Sequence, residues 1–342
     1  MDKELDLQKR DNSIDLMKGF MVFLMILCHV LMFFPNGPIE TPFTVFVGLT
    51  SFPGFMFCLG YVFPIAYSNK KDAEKRMLMG FIKTLLAFYV SGTFSLLLIQ
   101  KAGFINIVDM ILIRNIPGYS EFIVSFAFVY LVNIFLFKPI KKLVQNKIKF
   151  IIVAILCLAF TGFNYGTVIN DFFGVFVGTY RFSSFPIIQY GFYFLIGFYV
   201  SEHKIFFNFY IYFISLGCTF LFFLYVGFYG FYPSRFPPSL TWVVGGFFII
   251  YTYYLVCKLI KRFSFLEIAG KHSLSFLLIS NVLLFTLDRL IPEPPFIHWL
   301  FVTCVFVLTT GICYAYVFIS RPIIKSIKKR RFSEEIEQKS GE

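Results

Sequence analysis

Apolar runs long enough to cross roughly 30 Å of hydrocarbon, or to be completed to that length by a polar turn, recur from one end of this chain to the other. The pattern predicts spans over residues 17–34, 43–67, 78–99, 120–137, 150–169, 186–200, 205–229, 241–258, 273–291 and 296–319. A segment surrounded by lipid must satisfy its own backbone N–H and C=O groups, which runs of this kind do as helices. The fold class that follows is all-α: a polytopic integral membrane protein of about ten transmembrane helices. The first run, Gly19 to Phe34, is short enough to suggest a signal peptide, but PNGPIETP follows it with no small-x-small cleavage pattern, so it reads as a retained first span.

Charge tests this topology. The formal net charge is +12, which in a water-soluble protein would suggest a nucleic-acid partner. Here the cations lie between spans. With the N-terminus placed inside, all of the 31 Lys and Arg residues except Lys101, Arg114, Arg181, Arg235 and Arg289 fall on the cytoplasmic side. That positive-inside bias predicts an even number of spans with both termini in the cytoplasm, and it excludes a nucleic-acid role. The remaining composition agrees: 58% hydrophobic and 15% charged residues leave too much apolar surface for a soluble globule, and 51 Phe with 20 Tyr suit lipid-facing helices bounded by aromatic belts. The bilayer is therefore the first partner. Residues 1–320 read as a single transmembrane domain and 321–342 as a basic, then polar, cytoplasmic tail that is partly disordered.

Several chemistries are absent from the pattern. The seven cysteines are scattered through or at the ends of apolar runs with no CxxC pair, and read as packing residues. There is no Walker sequence, dinucleotide fingerprint or GxSxG elbow. His203, His272 and His298 lie at span boundaries without a second ligand at metal spacing, so no metal site and no permanently bound cofactor is expected.

An ionisable group within a span is a functional candidate by default. His29, in LMILCHVLMFF, lies eleven residues beyond Lys18, or about 16 Å along a helix. Position alone leaves two readings open: a neutral histidine bonded to a neighbouring helix, or a proton-transfer group suited to neutral pH.

The segment leading to it, RDNSIDLMKGFMVFLMILCH, resembles the opening signature of the membrane-bound acyltransferase-3 family, with Arg10, Ile14-Asp15, Lys18-Gly19 and His29 at the signature positions. Lys18 stands where Arg is usual. Weaker similarity continues through 56–63, 75–89, 185–202 and 266–281, with Asn281 where many members carry His, and through RFPPSL at 235–240. The resemblance implies an acyltransferase, an O-acetyltransferase foremost, that takes an acyl group from cytoplasmic acyl-CoA and passes it to a hydroxyl of an envelope carbohydrate or glycolipid. It implies a bacterial cytoplasmic membrane and acetyl-CoA as co-substrate. His29 would be catalytic, as general base or as an acyl-histidine. Arg10, Lys18, Lys75, Arg76 and Lys83 would meet the acyl-CoA phosphates, Asp15 and Asn281 would position the site, and Tyr180, Arg181 and Arg235 would meet the acceptor.

A second class remains open: a transporter or flippase for a lipid-linked or small anionic solute. Such proteins commonly show paired repeats or matched helix breaks in two halves, and neither is visible here. A homo-oligomer is compatible with either reading.

Overall fold

The structure is a computed structural model of the chain, described here for residues 11–35, 40–68, 70–163, 171–178, 185–260, 262–291 and 298–340. Among these residues there is no strand. The helices are α1 (Asn12–Phe33), α2 (Glu40–Tyr67), α3 (Ala73–Phe94, continued by a π-helical turn at Ser95–Ile99), α4 (Phe104–Ile111), α5 (Glu121–Val144), α6 (Lys147–Ala159) and α7 (Asp171–Val177). They continue with α8 (Ile187–Glu202), α9 (Phe209–Tyr229), α10 (Leu240–Gly245), α11 (Phe247–Leu259), α12 (Ser264–Lys271), α13 (Ser273–Leu290) and α14 (His298–Ser340).

Among the described residues, eight of the predicted spans correspond to helices long and apolar enough to cross a bilayer, with α10 and α11 together forming one of them. The other two, 150–169 and 186–200, fall on α6 and α8, which have 13 and 16 residues. At 1.5 Å per residue these reach only about 20 and 24 Å, so helix length alone carries eight crossings.

α1 is the central element, packed by α2, α11, α12, α13 and α14. Its start is fixed by Asp11, whose carboxylate accepts from the Ser13 backbone N–H at 3.1 Å, a side-chain N-cap. Close backbone approach sets its position against α12. A Cβ at Gly19 would strike the Leu266 carbonyl, and one at Gly270 would strike the carbonyl of Asp15, so each helix needs its glycine where the other crosses. The same reciprocal arrangement joins α2 to α8, through Gly60 against the Phe194 carbonyl and Gly197 against the Phe57 carbonyl. Small residues permit this because packing, with little hydrophobic drive in lipid, holds such helices together.

The break between α10 and α11 matters for the site. Thr219 on α9 spans it, donating to the Gly245 carbonyl at 2.7 Å and accepting from the Phe248 N–H at 3.2 Å. Tyr193 on α8 donates to the Val243 carbonyl at 2.6 Å. Side chains of neighbouring helices thus satisfy backbone groups near the interruption, as burial requires. The loop before α10 is also tied down: Ser234 Oγ donates to the Pro237 carbonyl at 2.8 Å and Ser239 N–H to the Ser234 carbonyl at 3.0 Å.

The two ends of the bundle differ. One gathers Asp11, Tyr61, Glu74, Lys138, Lys141, Glu202 and Lys258, joined by ion pairs such as Lys138–Glu74 at 3.8 Å and Lys141–Glu202 at 3.7 Å. This is the lysine-rich end. The outer surface of α9 is aromatic, with Phe213, Phe220, Phe223 and Phe228 exposed, as suits contact with acyl chains.

Candidate active site

His29 lies one turn from the end of α1, on the half of the bundle away from the lysine-rich end. Its Nδ1 is 3.2 Å from Asn281 Oδ1 on α13. The orientation of that amide follows from its other neighbours. Asn281 Nδ2 donates to the Tyr119 carbonyl at 3.1 Å, an oxygen that can only accept, and to Ser91 Oγ on α3 at 3.2 Å. Asn281 Oδ1 is therefore the atom that faces His29, and Nδ1 must carry the hydrogen it accepts. The imidazole is held as the Nδ1–H tautomer, which leaves the Nε2 lone pair without a hydrogen bond among the described residues.

The support around this pair is built from several helices. Ser120 Oγ donates to Ser91 Oγ at 3.2 Å, fixing the hydroxyl that Asn281 uses. Tyr119, at the turn into α5, has φ +66°, the left-handed region that costs a non-glycine residue about 1–3 kcal/mol. Its ring is stacked on Phe33 at 4.8 Å and meets the His29 ring edge-on at 5.5 Å, which helps hold the turn that presents its carbonyl to Asn281. Burial, then the nearby Asp288 and Glu121, push the Tyr119 phenol above its ordinary pKa, so it stays protonated.

His29 opens on a cavity of about 250 Å³ whose wall includes Asn281, Tyr119, Glu121, Ser51 and Arg235. Arg235 reaches it from the tied loop before α10. Its Cζ lies 4.5 Å from the Phe236 ring centroid and 5.9 Å from that of Trp242. Gly48 on α2 makes the room: a Cβ there would come within 3.2 Å of Arg235 Cζ and 3.1 Å of Trp242. Among the described residues no carboxylate lies within ion-pair distance of this guanidinium, and its Nε is buried with no hydrogen-bond partner. Burial lowers its pKa from an ordinary value so high that it remains a cation at neutral pH.

A second cavity, about 180 Å³, continues toward the lysine-rich end. It shares Phe122, Ile123 and Leu277 with the first and has Lys18 at its foot, where Lys18 Nζ is paired with the buried Asp15 at 2.8 Å. Two cavities with a common wall thus cover the stretch of α1 from Lys18 to His29. A third, about 560 Å³, lies apart at the lysine-rich end, with Lys258 bonded to Asp11 and set over the rings of Tyr61 at 5.2 Å and Tyr254 at 5.6 Å.

The structure therefore brings together His29, Asn281 and Arg235, and places Lys18, paired with Asp15, at a second cavity that shares three wall residues with theirs. Lys75, Arg76 and Lys83 are exposed and line none of these cavities, while Thr84, next to Lys83, faces the second one. Arg10, Tyr180 and Arg181 lie outside the described residues. Ser91, Ser51 and the Tyr119 carbonyl were not anticipated from sequence: small hydroxyls and backbone groups carry no pattern of their own. Among the described residues no three His, Cys, Asp or Glu side chains converge to hold a metal ion.

In comparison with known proteins, a family model described as an acyltransferase domain, of the acyltransferase-3 type, fits residues 11–318. No protein of curated function and no solved structure matched the chain.

Proposed function

Because this chain belongs to the acyltransferase-3 family of integral membrane acyltransferases, we propose that it transfers an acyl group, acetyl foremost, from acyl-CoA to a hydroxyl of an envelope carbohydrate or glycolipid, with His29 as general base. The observation that carries this reading is the fixed tautomer of His29. An imidazole with Nδ1–H tied to Asn281 and Nε2 open to a cavity is set up to take the proton of a hydroxyl as its oxygen attacks a carbonyl carbon.

In this mechanism the thioester would approach from the cavity at Lys18, where cationic groups would meet the anionic phosphates of the CoA moiety. Lys75 and Arg76, on the surface of the lysine-rich end, would attract the same ligand at longer range, joined by Arg10; Lys83 would contribute only to the overall positive field. Asp15 would hold the Lys18 ammonium in place. The acceptor would enter from the opposite side, meeting Arg235 together with Tyr180 and Arg181. His29 Nε2 would remove the hydroxyl proton as the acyl carbon is attacked, then return it to the departing thiolate of CoA.

The same reading takes the lysine-rich end as cytoplasmic, with both termini there, and counts α6 and α8 as crossings to give ten. It is supported by the charge bias of the sequence. A bacterial cytoplasmic membrane is the setting in which this topology and an envelope acceptor go together.

The test is CoA release by detergent-purified protein supplied with acetyl-CoA and a mixed extract of envelope glycans. Wild type is expected to release CoA and His29→Ala to lose release while still binding acetyl-CoA. A folded wild-type sample that neither binds nor turns over acetyl-CoA would overturn the reading and favour transport of an anionic solute.

A further inference from the structure

Acyl transfer creates a negative charge on the carbonyl oxygen of the thioester, and a water-poor cavity that catalyses it needs donors placed where that charge develops. The His29–Asn281 pair cannot be the source, since Asn281 Nδ2 is spent on Ser91 and Tyr119 and its Oδ1 is an acceptor. Two other polar groups in the wall of the His29 cavity have unspent hydrogen-bonding capacity. Ser51, 4% exposed on α2, has a buried Oγ with no hydrogen-bond partner. Among the described residues, Arg235 has an orphaned buried Nε and a guanidinium with no carboxylate within ion-pair distance.

Their placement is shared. Arg235 packs on α2 at Gly48, and Ser51 is three residues further along the same helix, one turn away on the same face. Leaving a buried donor unsatisfied is costly, so two such groups in the wall of one cavity call for a ligand.

Resting on the acyltransferase reading above, we propose that the Ser51 hydroxyl and the Arg235 guanidinium form the oxyanion site for the acyl carbonyl. The acceptor oxygen attacks the thioester carbon while His29 Nε2 takes its proton. The C=O π pair moves onto oxygen, where Arg235 and Ser51 donate to it. Collapse restores C=O, breaks the C–S bond, and the thiolate leaves with the proton from His29. Water in place of the acceptor follows the same course, so this site serves hydrolysis of acyl-CoA as well as transfer. A purely acceptor-binding Arg235 would serve transfer alone.

The experiment measures CoA release from acetyl-CoA with and without a mixed envelope-glycan extract, in wild type, Arg235→Lys, Arg235→Gln and Ser51→Ala. Arg235→Gln and Ser51→Ala are each expected to lower kcat about 10²-fold for both reactions. Acetyl-CoA binding should persist, and Arg235→Lys should recover part of the loss. Ser51→Ala is expected to melt no lower than wild type, because it removes an unsatisfied buried hydroxyl; lower activity with unchanged melting separates a chemical role from a structural one. Unaltered hydrolysis with a raised KM for the glycans would overturn the proposal and leave Arg235 to the acceptor alone. Full activity of both Ser51→Ala and Arg235→Gln would overturn it outright. If wild type released no CoA under either condition, it is the acyltransferase reading itself that would fall.

Discussion

The Nδ1 of His29 on α1 and the side-chain oxygen of Asn281 on α13 stand 3.2 Å apart, and the remaining bonds of Asn281 decide which of the two carries the hydrogen. One amide therefore joins α1, α3 and α13 to the turn before α5 and sets the proton state of the only histidine in the interior of a predicted span.

Asn281→Ala removes both functions of that amide. It leaves the partly buried Tyr119 carbonyl without its Asn281 donor, at about 1 kcal/mol of stability, and lets the imidazole turn, at about 10²-fold in kcat. Asn281→Asp keeps an acceptor for Nδ1–H but offers no donor to Ser91 or to Tyr119, so it should lose similar stability and less activity. Thermal unfolding in detergent, set beside CoA release from acetyl-CoA, checks both. An alanine variant as active as wild type would reduce the pair to packing.

Leu277 forms part of the wall common to the two cavities between Lys18 and His29 and is 6% exposed. Leu277→Trp should fill the space where the two cavities adjoin without touching either residue. Overpacking costs about 1–3 kcal/mol, so the variant should still fold, with turnover of acetyl-CoA reduced at least tenfold. Longer acyl-CoA substrates should suffer more. Turnover of the whole acyl series at wild-type rates would show that the thioester reaches His29 by another route.

Gly19→Ala and Gly270→Ala each place a methyl group against a backbone carbonyl of the facing helix, which no side-chain rotation relieves. Each is expected to lower thermal stability by a few kcal/mol at most before the helices separate, and to lower activity by moving α1, which carries His29. Gly311→Ala, where a Cβ meets nothing within 4 Å, is the matched control and should behave as wild type.

The sequence was most legible where lipid imposes a rule. Helices fall at all ten predicted positions because apolar runs have few alternatives in a bilayer. Lengths were less legible: α6 stops at Ala159 and α8 has only 16 residues, since hydropathy marks an apolar stretch without marking where its helix ends. His29 stood out as an ionisable group in an apolar run, and Asn281 and Arg235 were named with it through similarity to a family. Ser51 and Ser91 were invisible, since a serine in a span is ordinary until its helix face and its neighbours are known. Exposure of Lys83 was hidden for a related reason: one helical position separates it from Thr84, which does face a cavity.

Asp11 offers a test of how the N-terminus of α1 is anchored. Its carboxylate accepts from Lys258 and, at 2.8 Å, from the Tyr61 hydroxyl, besides capping the helix through Ser13. Burial by itself would raise the pKa of Asp11, but hydrogen bonds from Lys258, Ser13 and Tyr61 outweigh it and hold the group below its ordinary value. A depressed pKa means that the folded protein binds this proton less readily than the unfolded chain does. The resulting stabilisation is fully present above the ordinary carboxylate range, near pH ~4, and is lost as pH falls through the lower folded value. Asp11→Asn should therefore melt below wild type at neutral pH, with Lys258 left in a partly buried site without its counter-charge. The gap should narrow steadily below about pH 4, where wild type itself becomes protonated. Melting curves of the two proteins over that range decide it: a gap independent of pH would mean that Asp11 acts through shape and capping alone, with no contribution from its charge.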